Sequence, residues 1–288
     1  CVRFHDAVET HLMPLLRERD ERRRRRLGFE VVRPWDAAVD PDGDQPLRPF
    51  TDGPDLEART ARVFQRLDPR LAGLFDKLRD GASLDLDSRP GKAPGGYQYM
   101  RDRSRRPFIF MNAAGLHRDV RTMVHEAGHA FHSLLTNDEP LLHYRHSVYE
   151  FAEVASMAME LLTMPGWDEF YPDAADRRRA EREQLESVVY LLPWVATIDA
   201  FQQWIYTHPG HRADARRAEW MRLHDRFGRA VDWSGLEEEC AYTWHRQPHI
   251  FTSPFYYIEY GIAQIGALQL WLRSLDEGPR PVLDDATR

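Results

Sequence analysis

The combination of side chains best suited to chemistry is His125-Glu126-Ala127-Gly128-His129. Histidines four residues apart lie one turn apart on the same face of an α-helix, so both imidazoles can bind one metal ion. Zinc binds neutral imidazole nitrogen readily, and a catalytic zinc keeps one of its four coordination positions for water. Glu126 flanks the first histidine and is placed to accept a proton from that water. The motif therefore predicts a zinc site with His125 and His129 as ligands and Glu126 as general base.

The residues around this motif predict the helix that it needs. Apolar residues recur at helical spacing, and the histidines lie on another side of the same helix. Asp119 is suited to be the residue that caps the helix at its start. We therefore expect a helix over residues 119–136 that packs into a core on one side. The apolar stripe consists of Val120, Met123, Val124, Ala127, Phe131 and Leu134.

A third metal ligand has to come from elsewhere in the chain. A metzincin would carry glycine and histidine three and six residues after the second histidine, and His132 and Leu135 exclude that class. The next predicted helix carries glutamates in an otherwise apolar stretch, where a carboxylate is costly to bury unless it is paired or bound to metal. We expect Glu153 to be the third ligand, with Glu150 as the alternative. Glu160 is better placed to accept a hydrogen bond from a ligand histidine.

A second group of polar and aromatic side chains lies near the C-terminal end, with His249, Tyr256, Tyr257 and Tyr260. Neutral hydrogen-bond donors of this kind can stabilise an oxyanion without competing for a metal ion. An aromatic core segment before a helix would contain similar residues, and their spacing alone favours that interpretation. The metal motif upstream shifts the balance towards function.

The remaining pattern predicts a mainly α fold with a small β element before the metal helix. A proline-rich stretch over residues 28–54 predicts short strands or irregular loop. Residues 106–112 predict a short buried strand. Helices are predicted over residues 1–27, 55–80, 119–136, 147–163, 176–206, 212–228, 234–245 and 255–275.

The composition of the chain argues against several classes of function. The chain has 288 residues and a formal charge of −7, which argues against a general nucleic-acid-binding protein. No run of about 18 apolar residues is present, so we expect no membrane span. Two cysteines, Cys1 and Cys240, and no secretion signal indicate a reducing compartment, which predicts a cytoplasmic protein.

Together these motifs resemble the oligoendopeptidase F and thimet-type oligopeptidase family of zinc metallopeptidases. Residues 125–132 are similar to the extended metal motif, 153–156 to the ligand-glutamate segment of the oligoendopeptidase F branch, and 249–260 to the histidine- and tyrosine-bearing segment. The resemblance implies a zincin-like helical fold with a deep cleft that cleaves internal bonds of oligopeptides. It also implies His125, His129 and Glu153 as ligands of one zinc ion per chain, Glu126 as general base, and His249, Tyr257 and Tyr260 as stabilisers of the oxyanion.

The second tyrosine remains open between two neighbours. Tyr257 fits best because it lies three residues before Tyr260, but the similarity is loose by one residue around Tyr256. We further expect the strand at 107–112 to lie along the cleft and to bind the substrate backbone by strand addition.

Members of the resembled family are considerably longer than this chain. We therefore expect residues 1–288 to be a catalytic domain that lacks an N-terminal helical region, which would complete the cleft, and the extreme C-terminus. Two other functions compete with an oligopeptidase. One is a catalytically inactive metal-binding helical protein of the same fold, and the other is a hydrolase with the same metal ligands that acts on something other than peptides.

Overall fold

A computed structural model describes residues 1–148, 151 and 153–286. Helices predominate, as the sequence predicts, and three short strands form one sheet. The α-helices are α1 (Val2–Ala7), α2 (Met13–Leu27), α3 (Gly53–Leu67), α4 (Pro69–Asp80), α5 (His117–Leu135), α6 (Val154–Leu162), α7 (Ala174–Thr207), α8 (Ala213–Phe227), α9 (Glu237–Ala241), α10 (His249–Thr252), α11 (Ile258–Glu277) and α12 (Pro279–Ala286). The strands are β1 (Leu84–Asp87), β2 (Gly96–Arg101) and β3 (Arg106–Ala113).

Two predicted helices are interrupted. The helix predicted over 55–80 is two helices, because Asp68 is extended and its carboxylate accepts the Arg70 N–H at 2.7 Å. Pro69 follows, and a proline disfavours helical backbone in the residue before it. The helix predicted over 1–27 contains a π-helical turn at Val8–Leu12 between α1 and α2.

Of the two alternatives predicted for residues 28–54, the structure has the irregular loop. Residues 28–52 contain no strand and have one 3₁₀ turn at Pro34–Ala38, and Gly53 begins α3. One further predicted helix is shorter than expected. The helix predicted over 234–245 is the short α9 followed by a 3₁₀ turn at Thr243–Arg246.

The sheet has the order β1-β3-β2, with β3 parallel to β1 and antiparallel to β2. Both edges of β3 are therefore paired within the protein, and the expectation that 107–112 binds a peptide by strand addition is wrong. An added strand needs unpaired backbone groups along one edge, and both edges of β3 are already paired. Among the described residues β2 is an edge strand of this sheet.

The chain divides into two compact units, here called the metal unit and the aromatic unit. The metal unit comprises Pro46–Gln184 and Ile262–Arg288, and the aromatic unit comprises Cys1–Gln45 and Leu185–Gly261. In the metal unit, α5 packs against α6 and against β2 and β3. In the aromatic unit, the ring of Phe201 packs against those of Trp220 and Trp244, at centroid distances of 5.0 and 5.5 Å. None of the helices in the described part of the chain is both long and apolar enough to cross a bilayer.

Candidate active site

The helix that carries the histidine motif starts two residues earlier than predicted. Leu116 is its N-cap, so the expectation that Asp119 caps it is wrong. Asp119 lies at the third helical position, and its carboxylate accepts the backbone N–H groups of Ala114 and Leu116 at 2.8 and 2.9 Å. An acidic side chain can satisfy orphan donors from that position by reaching back over the first turn. The predicted apolar stripe from Val120 to Phe131 is buried.

Helices α5 and α6 bring His125, His129 and Glu153 together. The Nε2 atoms of His125 and His129 lie 3.3 and 3.2 Å from the same Glu153 carboxylate oxygen, Oε2. One donor atom from each residue lies within 4.8 Å of the others, close enough to hold a single metal ion. The donor set of two imidazole nitrogens and one carboxylate fits a catalytic zinc site that keeps a fourth position open.

Gly128 allows the two helices to approach this closely. A Cβ at this position would lie 2.5 Å from the Ser156 Cα and 2.7 Å from the carbonyl oxygen of Ala155. Only glycine fits such a contact without moving the backbone of α6. The metal motif does not by itself indicate this role for Gly128, although a glycine inside a predicted helix, one residue before His129, is a possible sign of close packing.

Glu160 contacts the ring nitrogen of His125 that does not face Glu153. Its Oε1 lies 2.8 Å from His125 Nδ1, which leaves Nε2 of the same ring directed at Glu153. Arg121 and Gln184 donate to the other oxygen of Glu160 at 3.2 and 3.0 Å. The expectation that Glu160 accepts from a ligand histidine agrees with this geometry. No sequence pattern pointed to Arg121 or Gln184.

The charges in this cluster are strongly coupled. Burial disfavours a charged His125, but hydrogen bonds with Glu153 and Glu160 outweigh burial and raise its pKa to about 10. Burial also favours the neutral acid at Glu153, yet hydrogen bonds from His125 and His129 hold its pKa well below the usual range. A bound cation would replace the proton that these carboxylates hold on His125.

Glu126 follows His125 in the chain and is not among the three residues whose donor atoms lie within 4.8 Å of one another. It is only 7% exposed, and burial raises the pKa of its carboxyl. The nearby imidazoles of His125 and His129 oppose that rise in the pKa, and the backbone N–H of Gln98 in β2 does so more weakly. A carboxylate with a raised pKa is a more effective proton acceptor near neutral pH. Glu150, the alternative ligand, lies outside the described residues.

The aromatic unit brings together the second predicted group. The rings of Tyr257 and Tyr260 lie 5.2 and 5.7 Å from that of His249, and the Tyr260 hydroxyl lies 3.3 Å from His249 Nε2. Tyr257 is buried, which raises the pKa of its hydroxyl to about 12 and keeps it a neutral donor. Tyr256 stacks on His249 at a centroid distance of 6.2 Å, so both candidates for the second tyrosine contact the same ring.

The model of peptidase family M3 matches residues 1–285. This chain belongs to peptidase family M3. The match confirms the family resemblance seen in the sequence, and the similarity to solved structures confirms the expected zincin-like helical fold. A comparison with curated protein sequences found no match.

Solved structures of family M3 relatives show the same fold. A PZ peptidase A solved with an inhibitor is 31% identical, with a TM-score of 0.91 over 99% of this chain. A protein assigned as oligoendopeptidase F is 29% identical, with a TM-score of 0.90 over 99% of the chain. Another so assigned, from Bacillus anthracis strain Ames, is 28% identical, with a TM-score of 0.82 over 97%. The alignments cover 50%, 50% and 47% of these relatives, so the chain spans about half of their length.

Proposed function

We propose that this family M3 chain is the catalytic part, over residues 1–288, of a zinc-dependent peptidase that hydrolyses internal bonds of oligopeptides. The observation that carries the proposal is the convergence of His125, His129 and Glu153, with all three donor atoms within 4.8 Å. We assign these three residues as the ligands of one zinc ion per chain. Zinc held there would act as a Lewis acid and would lower the pKa of a water molecule bound to it.

Glu126 is the proposed general base. It neighbours the first ligand in sequence, and its burial raises the pKa of the carboxyl towards the range in which proton transfer is efficient. Glu160 has a different role, because its hydrogen bond to His125 Nδ1 orients that ring.

We assign oxyanion stabilisation to His249 and Tyr260, with Tyr257 as a second tyrosine. The support is chemical: an imidazole N–H and phenolic hydroxyls are neutral donors, and the three rings contact one another. Donors that are already in place cost little reorganisation when negative charge develops on a carbonyl oxygen.

The edge strand β2 replaces β3 as the proposed docking strand for the substrate backbone. Gln98 of β2 pairs with Ile109 of β3, and β2 packs against α5, the helix that carries the proposed base. An extended peptide added to this edge would present backbone groups without a close reading of its side chains.

N-methylation of the peptide tests this docking mode. In a strand, alternate residues direct their N–H groups to the same neighbour. Methylation of the peptide nitrogens whose N–H groups face β2 should therefore abolish cleavage. Methylation of the intervening nitrogens, which face away from β2, should be tolerated. Equal tolerance at all positions would rule out strand addition on β2.

Two measurements on the purified protein test the function itself. We expect about one zinc per chain by elemental analysis and cleavage of a quenched-fluorescent peptide library at internal bonds. Zinc without cleavage of any peptide would instead indicate an inactive metal-binding member of the fold. Cleavage that is insensitive to a zinc chelator would rule out the proposed metal chemistry.

A further inference from the structure

The side chain of Gln247 lies between Trp194 and His249, within the aromatic unit. Trp194 Nε1 donates to Gln247 Oε1 at 3.1 Å. An indole N–H can only donate, so the Gln247 atom that faces it has to be the carbonyl oxygen. This contact determines which way the amide points. The Gln247 amide nitrogen, Nε2, then lies 2.6 Å from His249 Nδ1.

The orientation of Gln247 determines where His249 carries its proton. An amide NH₂ group has no acceptor, so it donates to His249 Nδ1, and Nδ1 has to present its lone pair. A neutral imidazole with an unprotonated Nδ1 carries its proton on Nε2. That Nε2–H faces the Tyr260 hydroxyl oxygen at 3.3 Å and donates to it. The hydroxyl proton of Tyr260 is consequently not used in this bond.

We infer that Gln247, oriented by Trp194, is a positioning residue that keeps His249 in the Nε2–H tautomer. The Tyr260 hydroxyl can act as an oxyanion donor only in this tautomer, because His249 Nε2–H then donates to its oxygen and His249 acts through this bond. With the proton on Nδ1 instead, the Nε2 lone pair would accept the Tyr260 proton, and the hydroxyl could not donate to an oxyanion.

Gln247→Glu is the sharpest variant because it keeps the shape of the side chain and inverts its hydrogen bonding. A carboxylate can only accept, so it demands a proton on His249 Nδ1. Trp194→Phe removes the indole donor and leaves Gln247 able to turn its oxygen towards the ring. Glu238→Gln is a matched control, because Glu238 is exposed in α9 of the same unit.

Nitrogen-15 NMR of histidine-labelled protein reads the tautomer without any catalytic assay. The His249 signals are assigned by their loss in His249→Gln. We expect an unprotonated Nδ1 and a protonated Nε2 in the wild type and in Glu238→Gln, and a protonated Nδ1 in Gln247→Glu. A protonated Nδ1 in the neutral ring of the wild type overturns the inference, and this result needs no variant that could misfold. An unprotonated Nδ1 in folded Gln247→Glu also overturns it.

The catalytic consequence rests on the proposed function, and kinetics test it separately. We expect Gln247→Glu to lower kcat about a hundredfold, as for the loss of one oxyanion donor, with KM nearly unchanged. Trp194→Phe should have a smaller effect in the same direction. An unchanged kcat alongside the altered tautomer overturns the catalytic role of Gln247. If the wild type cleaves no peptide, the proposed function fails, while the NMR spectrum still decides the tautomer.

Discussion

Charged side chains contact the candidate metal ligands, whereas in the described part of the aromatic unit two neutral side chains form hydrogen bonds with His249. Around His125, the described partners are Glu153 and Glu160, and Arg121 in turn pairs with Glu160. Around His249, the described hydrogen-bond partners are the amide of Gln247 and the hydroxyl of Tyr260. Each arrangement suits its proposed task, since nearby carboxylates favour a bound cation and neutral oxyanion donors do not compete for it.

This difference leads to a rule for substitutions. Changes in the charged cluster should alter metal affinity, or proton transfer in the case of Glu126, while changes in the neutral cluster should alter kcat and leave the metal in place. The following variants test the rule from the largest expected effect to the smallest.

Glu153→Gln should cause the largest loss. It removes the anionic ligand from between the two histidines, so zinc affinity should fall by more than the 10–100-fold typical of an outer-shell change, and activity should fall with it. Competition with a chelating dye measures the affinity. Glu150→Gln is the matched comparison, and a larger loss of zinc in that variant would transfer the ligand role to Glu150.

Glu126→Gln should retain zinc and lose about 10²–10⁴-fold in kcat, because the amide keeps the size of the side chain but cannot accept the proton. Elemental analysis and steady-state kinetics on the same sample separate the two effects. Glu238→Gln serves as an exposed control with expected wild-type values. If zinc disappears together with activity, Glu126 is a ligand or a structural residue.

Tyr260→Phe should retain zinc and lose about 10²–10³-fold in kcat, with little change in KM. The ring stays packed against His249, so the substitution tests the hydroxyl alone. Tyr257→Phe should act in the same direction with a smaller effect. If Tyr256→Phe is impaired instead, the second tyrosine is Tyr256. If all three variants have wild-type activity, the three tyrosines serve only to pack the core.

Glu160→Gln should weaken zinc binding about 10–100-fold, because the neutral amide is a poorer acceptor for His125 Nδ1–H than a carboxylate. A chelator titration measures the change. Equal affinity in wild type and variant would show that the position of His125 does not depend on the charge of Glu160.

Gly128→Ala should destabilise the protein by about 1–3 kcal/mol, because the added methyl group meets the backbone of α6. Urea unfolding of the metal-free protein measures the stability independently of zinc. Gly73→Ala in α4 is the matched control, since nothing lies within 4 Å of its Cβ position. Alanine there should be neutral or stabilising by up to about 1 kcal/mol. Similar results for both variants would refute close helix contact at Gly128.

Helix α5 shows how much local spacing can predict. The four-residue interval between His125 and His129 and the apolar stripe from Val120 to Phe131 both depend only on helical periodicity. For that reason the metal motif and its buried side were visible without coordinates. The start of the helix was less predictable, because Asp119 can serve either at the cap or at the third helical position.

Strand pairing shows where local spacing stops being informative. Residues 106–112 have the apolar character of a buried strand, but nothing in them states which strands lie on either side. Only the folded sheet places β3 between β1 and β2 and leaves β2 as an edge strand of that sheet among the described residues. Short polar strands such as β1 (Leu84–Asp87) carry too little alternation to be recognised alone.

The sequence by itself determined the identities of the reactive groups, the helical register that puts two histidines on one face, and the family resemblance. Periodicity and residue chemistry act over a few residues, so both can be read along the chain. Tertiary structure decided which groups meet: α6 against Gly128, Gln184 on Glu160, and Trp194 on Gln247. In the order given, these contacts join residues that are 28, 24 and 53 positions apart in the chain. They depend on steric fit and hydrogen-bond direction between elements, which local sequence does not encode.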